Sequence, residues 1–405
     1  MTEPEHLQTL SPEIPDPHSL SATHSLRALI EQVTGADHPM DAAYASEKRD
    51  SGIVEVLPFP FLAMVGQTEM KTALLLALIN PAVGGVLLIG PRGTGKTTAV
   101  RSLVDLLPQV SRSLCYYGCM PEDVETGGID AICPDCAKKY ALGESLAAMD
   151  RVRLVELPLN ARLEDVIGGL DERAAIHERL RLRRGILAQA DRNLLYVDEV
   201  NLLGSQVADA ILDAAAQGSY TIRRGPIWAT YRSRFVLTGS MNPEEGHLRP
   251  QILDRFGLRV IVRGLLDSRD RLEAYQRVHT YQDQPHEIIQ RYASATMQAR
   301  DEIQSARDRL SQVEITPEIA QVGLEMIEKL QIDSLRAEIT LFEAARAYAV
   351  SDDRTLVSRE DLYQVGPMAL RFRRSKFMTE YLTQQSIEEN EISMIINPEY
   401  PFKHP

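Results

Sequence analysis

What the chain lacks narrows it first. No apolar run in its 405 residues approaches the roughly 18–20 consecutive positions needed to cross a bilayer. The first residues, MTEPEHLQTLSPEIPDP, lack the basic start and apolar core of a signal peptide. Their acids equally exclude a basic, acid-poor transit peptide. The expected location is therefore the compartment of synthesis, the cytoplasm of a bacterium. Basic charge is in short supply: 44 Lys and Arg stand against 57 Asp and Glu, for a net charge of −13. Binding a polyphosphate chain needs a basic stripe, so this balance argues against a large nucleic-acid footprint, though not against a local one. Cysteine is rare too, with four in all, and their placement matters below.

What is present reads as a globular protein of more than one domain, 44% apolar and 25% charged. Residues 1–50 hold nine acids against three bases and are punctuated by proline, the composition of a solvated, disordered tail. A solubilising end is the favoured reading of that tail over a docking segment. From 51 to 265 short apolar runs alternate with helical stretches. VLLIG (86–90), RLVEL (153–157), LLYVDE (194–199), RFVLTG (234–239) and LRVIV (258–262) read as buried strands. Helical periodicity marks 66–81, 97–107 and 205–218. Such alternation implies an α/β fold, a parallel sheet flanked by helices, with ligands at the carboxyl ends of the strands. Residues 266–312 are long, polar and helical, a composition that fits a helix bridging solvent or lying on a neighbouring chain. From 313 to 386, three amphipathic stretches form a small helical bundle, with Thr316 and Ser358 as N-terminal caps. A Gln-, Glu- and Pro-rich tail closes the chain at 387–405.

Gly90-Pro91-Arg92-Gly93-Thr94-Gly95-Lys96-Thr97 fits G-x-x-x-x-G-K-[ST] in full. Its glycines let backbone N–H groups turn inward around phosphates, Lys96 neutralises the terminal phosphates, and the Thr97 hydroxyl ligands Mg2+. A strand before it and a helix after it supply the context the motif requires. About a hundred residues on, LLYVDE places Asp198 and Glu199 at a strand end. There an aspartate can hold the Mg2+ of ATP and a glutamate can orient the attacking water. Asn242, at the tip of the next strand, can hold the same water or the γ-phosphate; the alternative is a turn residue before Pro243.

These stretches together resemble the AAA+ ATPases, with a P-loop core and a C-terminal helical lid. More narrowly, residues 55–375 are similar to the I-subunit family of the magnesium chelatases. GQTEMKTALLLALINPAVGGVLLIGPRGTGKTT, LLYVDEVNLL, TGSMNPEEGHLRPQILDRFG and SLRAEITLFEAARAYA carry the likeness, NPEEGHLRPQILDRFG most specifically. The resemblance implies a ring-forming ATPase, commonly hexameric, working with a homologous D subunit and a porphyrin-binding H subunit. Together these insert Mg2+ into protoporphyrin IX on the way to chlorophyll and bacteriochlorophyll. By the same resemblance Arg255 matches the family's arginine finger and Arg336 its second sensor arginine, which serves a neighbouring subunit. Arg249 faces the neighbouring nucleotide on a weaker match. Hairpin inserts are implied at 165–193 and 219–232, the second with Arg223-Arg224 at a tip that either meets a partner or is simply solvated.

Two rivals share the core: a MoxR-type protein-remodelling chaperone and a nucleic-acid motor. The second would use the 219–232 hairpin on DNA, but the chain is acidic and has no separate DNA-binding domain. One feature stands outside the resemblance. Cys115, Cys119, Cys133 and Cys136 follow a C-x3-C-x13-C-x2-C pattern. That spacing fits a tetrahedral Zn2+ site, a thiol–disulfide pair, or four unrelated reduced cysteines.

Overall fold

Val86–Ile89 is four apolar residues, all buried, and forms β1 of a five-stranded parallel sheet. A strand covered on both faces has no polar side, so VLLI carries no alternation. The other strands are β2 (Leu154–Leu157), β3 (Leu194–Val197), β4 (Val236–Met241) and β5 (Leu258–Ile261). Their spatial order is β5-β1-β4-β3-β2, every pairing parallel. The register sets Ile89 level with Met241 and Ile261, and Val197 level with Gly239. Residues leaving the carboxyl ends of β1, β3 and β4 therefore emerge side by side. This computed structural model describes residues 57–170, 182–225, 227–246 and 248–374. The two expected tails, residues 171–181 of the first insert and the end of the bundle beyond 374 lie outside them.

Alternation within β3 feeds two cores. Leu194 and Tyr196 pack on the face covered by helices Thr68–Ile79, Pro285–Arg309, Leu335–Ser351 and Arg359–Leu370. Leu195 and Val197 face the other side, with helices Leu163–Ile167, Ile186–Gln189, Ser205–Gln217 and Pro250–Arg255. The helix expected at 97–107 is shorter: an α-helix spans Lys96–Ser102, and a 3-10 turn over Leu103–Leu106 finishes the stretch before Pro108.

The polar segment 266–312 departs from the sequence expectation. It is two helices, Ser268–Asp283 and Pro285–Arg309, broken where Gln284 leaves helical geometry ahead of Pro285. The second does not bridge solvent. Ile288, Tyr292, Ala295, Ala299, Ile303 and Ala306 form one stripe at three- and four-residue spacing, and it packs into the main core. Half of that stripe is alanine, which adds little apolar signal to a sequence but lets helices approach closely. Arginines complete the attachment: Arg300 donates to the Asp105 carbonyl at 2.8 Å and Arg307 to the Leu78 carbonyl at 2.6 Å.

Beyond it, helices Pro317–Lys329, Leu335–Ser351 and Arg359–Leu370 form the bundle. Thr316 Oγ1 accepts from the Ile319 amide at 3.4 Å, and Ser358 and Asp361 cap one another reciprocally. Among the described residues three antiparallel strand pairs decorate the core: 109–113 with 147–151, 168–170 with 182–184, and 219–224 with 227–232. In the last, Ile222 and Tyr231 point inward while Trp228, the chain's one tryptophan, is 68% exposed. Among the described residues no helix is long and apolar enough to cross a membrane.

Candidate active site

The phosphate loop leaves β1 at Gly90, where a Cβ would lie 2.1 Å from the Val262 carbonyl oxygen; only glycine fits. Gly95, at φ 85°, turns the chain into helix Lys96–Ser102. Lys96 is 9% exposed and folds over the loop, donating to the Gly90 and Pro91 carbonyls at 2.7 Å each. Burial pulls its ammonium below the ordinary lysine value, while Asp198, Glu245 and Glu199 act in the opposite direction.

The aligned strand ends bring the acids to this loop. Thr97 Oγ1 lies 3.3 Å from Asp198 Oδ2. The Tyr196 hydroxyl sits 2.8 Å from Asp198 Oδ1 and 3.1 Å from Thr97 Oγ1, and Ser240 Oγ also donates to Asp198. Oxygen donors of this kind, hydroxyls and a carboxylate, suit a hard cation such as Mg2+. Glu199 is in the left-handed region, at φ 51° and ψ 55°, which costs an L-residue about 1–2 kcal/mol. Its amide donates to Ser240 Oγ at 3.0 Å, which holds that geometry. Strain of this sort concentrates at functional sites. Arg92, 73% exposed, forms ion pairs with Glu245 and, at 3.6 Å, with Glu199. Asn242 is 4% exposed; its Oδ1 accepts from the Glu244 amide at 3.2 Å and caps the short turn Pro243–Glu245. The turn role is thus present in the fold.

Tyr196 and Ser240 are the participants that sequence reasoning missed. Residues i and i+2 of a strand share a face, so Tyr196 was bound to lie beside Asp198 once β3 was assigned. Its aromatic body hid it among apolar neighbours.

The predicted arginines form a separate group. Arg255 ends helix Pro250–Arg255 and donates to the Leu212 carbonyl at 3.2 Å and to Asp213 Oδ1 at 3.3 Å. Arg336 pairs with Asp254 Oδ2 at 3.0 Å. Asp254 also meets Arg373 at 3.2 Å and Arg259 at 3.7 Å. Arg255 and Arg336 border one cleft of about 230 Å³ with Leu212, Phe235, Ile339 and Thr340. That cleft lies by the amino ends of β1, β4 and β5. It is a strand's length from the phosphate loop, roughly 13 Å for four residues. Among the described contacts neither arginine bonds to residues 90–97. Arg249 is exposed at the start of its helix.

The four cysteines are free and form a third group, their sulfurs all within 4.8 Å of one another. Burial pushes the Cys119 thiol up to about 11, whereas hydrogen bonds from the Tyr117 amide and from Cys136 and Cys133 outweigh burial at Cys115 and bring it down to about 7.

Comparison with known proteins gives these geometries a lineage. A family model described as the AAA lid domain matches residues 327–392. A magnesium-chelatase subunit ChlI homolog of Methanocaldococcus jannaschii is 41% identical over 82% of this chain and 90% of its own length. The magnesium-chelatase 38 kDa subunit of Acidiphilium rubrum is 40% identical over 78% of this chain and 90% of its own. A chain from a solved assembly, titled as the complex between subunits BchI and BchD of magnesium chelatase, is 38% identical. It covers 80% of this chain and 99% of itself, with a TM-score of 0.44. With the parallel sheet, the complete phosphate loop and the helical lid, identity at this level over this span assigns the chain to the I-subunit family of magnesium chelatases, within the AAA+ ATPases.

Proposed function

We propose that this chain is the ATPase motor subunit of magnesium chelatase, driving insertion of Mg2+ into protoporphyrin IX in chlorophyll or bacteriochlorophyll synthesis. The observation that carries the reading is the division of the site. Lys96, Thr97, Asp198 and Glu199 meet at the carboxyl end of the sheet, while Arg255 and Arg336 occupy a cleft beyond its amino end. One subunit then offers two halves of different sites, and a ring of copies completes each. Leu335 and Ile339, 69% and 50% exposed beside Arg336, give the second half an apolar surface on which a neighbour can seat. The ring is a hexamer in this reading, acting in the bacterial cytoplasm with a D subunit and a porphyrin-binding H subunit.

Residues 90–97 hold the phosphates of ATP. Thr97 and Asp198 hold the Mg2+ that accompanies it, which neutralises charge on the terminal phosphates. Glu199 orients the attacking water, with Asn242 beside it. The metal ion inserted into the porphyrin is a separate substrate ion. The cysteine cluster lies outside this chemistry.

Tyr196→Phe tests the magnesium side of the site. Losing a partner that holds a metal ligand typically costs about 10–100-fold in metal affinity, so the Mg2+ concentration for half-maximal ATPase should rise by about tenfold or more. Thermal stability should change little, because the ring stays in the core. An unchanged Mg2+ dependence would remove Tyr196 from the site. Against a nucleic-acid motor, neither single- nor double-stranded DNA should stimulate ATP hydrolysis at moderate salt. Stimulation that falls steeply with salt would favour that rival instead. Reconstitution with D and H subunits tests the whole reading: porphyrin absorbance should shift to the Mg2+-bound form only when this chain and ATP are both present. A shift of equal rate without this chain would overturn it.

A further inference from the structure

We propose that Cys115, Cys119, Cys133 and Cys136 form a structural Zn2+ site that fastens residues 114–146 onto the strand pairs 168–170 with 182–184 and 219–224 with 227–232. The site is independent of the ATP chemistry. Zn2+ bound by four thiolates at about 2.3 Å sets the sulfurs about 3.8 Å apart, the edge of the tetrahedron. Cys115 Sγ lies 3.7 Å from Cys119 Sγ and 3.5 Å from Cys133 Sγ, and all four sulfurs fall within 4.8 Å of one another. A disulfide would bring two of the sulfurs to about 2.05 Å, well inside these separations. None is so paired.

Local geometry supports thiolates at these positions. The Tyr117 amide donates to Cys115 Sγ at 3.2 Å, and the Cys133 amide donates to Cys119 Sγ at 3.3 Å. Such N–H groups spread the charge of a metal-bound sulfur. Cys133 precedes helix Pro134–Ala141, and Cys136 sits in its first turn. Cys-Pro-Asp-Cys therefore wraps its two sulfurs to one side, and the turn carrying Cys115 and Cys119 closes the other.

The segment also needs a staple. Its own core is Cys119, Ile132, Cys136 and Leu146, with Cys115, Val124, Cys133 and Ala137 partly buried against them. Half of that cluster is the cysteines themselves. Apolar burial this small does not order a segment of such length, and small units of this kind are held by metals or cross-links. With the staple in place, the segment reaches both strand pairs. The Tyr116 hydroxyl donates to the Leu182 carbonyl at 3.0 Å, with the Arg184 guanidinium 5.8 Å from its ring centroid. Asp123 pairs with Arg232, and Glu122 pairs at 3.3 Å with Arg192, which lies just ahead of β3. Loading the site releases the thiol protons to solvent and forms four metal–sulfur bonds, with no change of oxidation state.

The test uses the full chain, purified without chelator and dialysed against a weak one. Elemental analysis should find about one equivalent of zinc per chain, and an organomercurial should release it stoichiometrically. Exchange for Co2+ should give the visible absorption of a tetrahedral thiolate complex. Cys115→Ser removes one of the two partly exposed ligands and keeps three. It should lose most of its zinc and change the Co2+ spectrum, while binding of a fluorescent ATP analogue shows that the ATPase core has folded. A metal-free chain whose four thiols titrate freely, a chain with two disulfides by mass, or a chain carrying iron and sulfide would each overturn the proposal. So would a Cys115→Ser protein that retains a full equivalent of zinc with an unaltered Co2+ spectrum.

Discussion

Arg255→Ala is expected to bind ATP nearly as well as the unmodified chain and to hydrolyse it about 10³–10⁵-fold more slowly, the range found for arginine fingers in GTPases. The asymmetry follows from where Arg255 lies. Its own phosphate loop is a strand's length away, so its loss leaves that loop's contacts with ATP intact. In the proposed ring, a cation supplied by the neighbour would act instead on the charge that develops as the γ-phosphate departs, a turnover effect. Within its own subunit Arg255 holds the Leu212 carbonyl and Asp213 at the surface. Exposed pairs of this kind contribute at most about 1 kcal/mol, so thermal melting should move only slightly. Nucleotide binding, ADP release and a melting curve separate these effects. A variant that turns over within tenfold of the unmodified chain would leave Arg255 with a structural role only.

Glu199→Gln should give the second-largest loss, a fall in kcat of about 10²–10⁴-fold, the usual worth of a positioned general base. The amide keeps the shape of the carboxylate, and the backbone strain at φ 51° is held by the Ser240 bond to the Glu199 amide, which the substitution does not touch. ATP should therefore bind and persist unhydrolysed, detectable as stoichiometric bound ATP after gel filtration. The Arg92–Glu199 contact would be lost, but Arg92 retains Glu245. Hydrolysis at the unmodified rate would move the water-orienting role to Asn242 or Glu245.

How much of this could be read beforehand depended on the physics each residue answers to. The spacing of Gly90, Gly95, Lys96 and Thr97 is set by how a backbone wraps a phosphate, and Asp198 and Glu199 follow an apolar strand by necessity. Local rules suffice for both. Tyr196 was hidden because a tyrosine in an apolar strand looks like core until register sets its hydroxyl beside Asp198. Helix Pro285–Arg309 misled because half of its buried stripe is alanine, which leaves few strongly apolar positions for its length. The cysteine spacing left a Zn2+ site, a thiol–disulfide pair and unrelated thiols open, and it is the fold of 114–146 that brings all four sulfurs together. That Arg255 and Arg336 share a cleft is a property of tertiary packing, since Asp254, which holds Arg336, and Thr340 come from opposite ends of that contact. No local pattern encodes it.

The claim that each catalytic site is completed by the next subunit has a direct measurement. Lys96→Ala should fail by losing its own phosphate contacts, and Arg255→Ala by failing its neighbour. Mixed together, the two inactive proteins should form rings in which some interfaces pair an intact Lys96 with an intact Arg255. ATPase activity should return to a fraction of the unmodified level, rising and falling with the mixing ratio. Mixed rings that form, as shown by co-purification of differently tagged chains, yet hydrolyse ATP no faster than either variant alone would contradict the account.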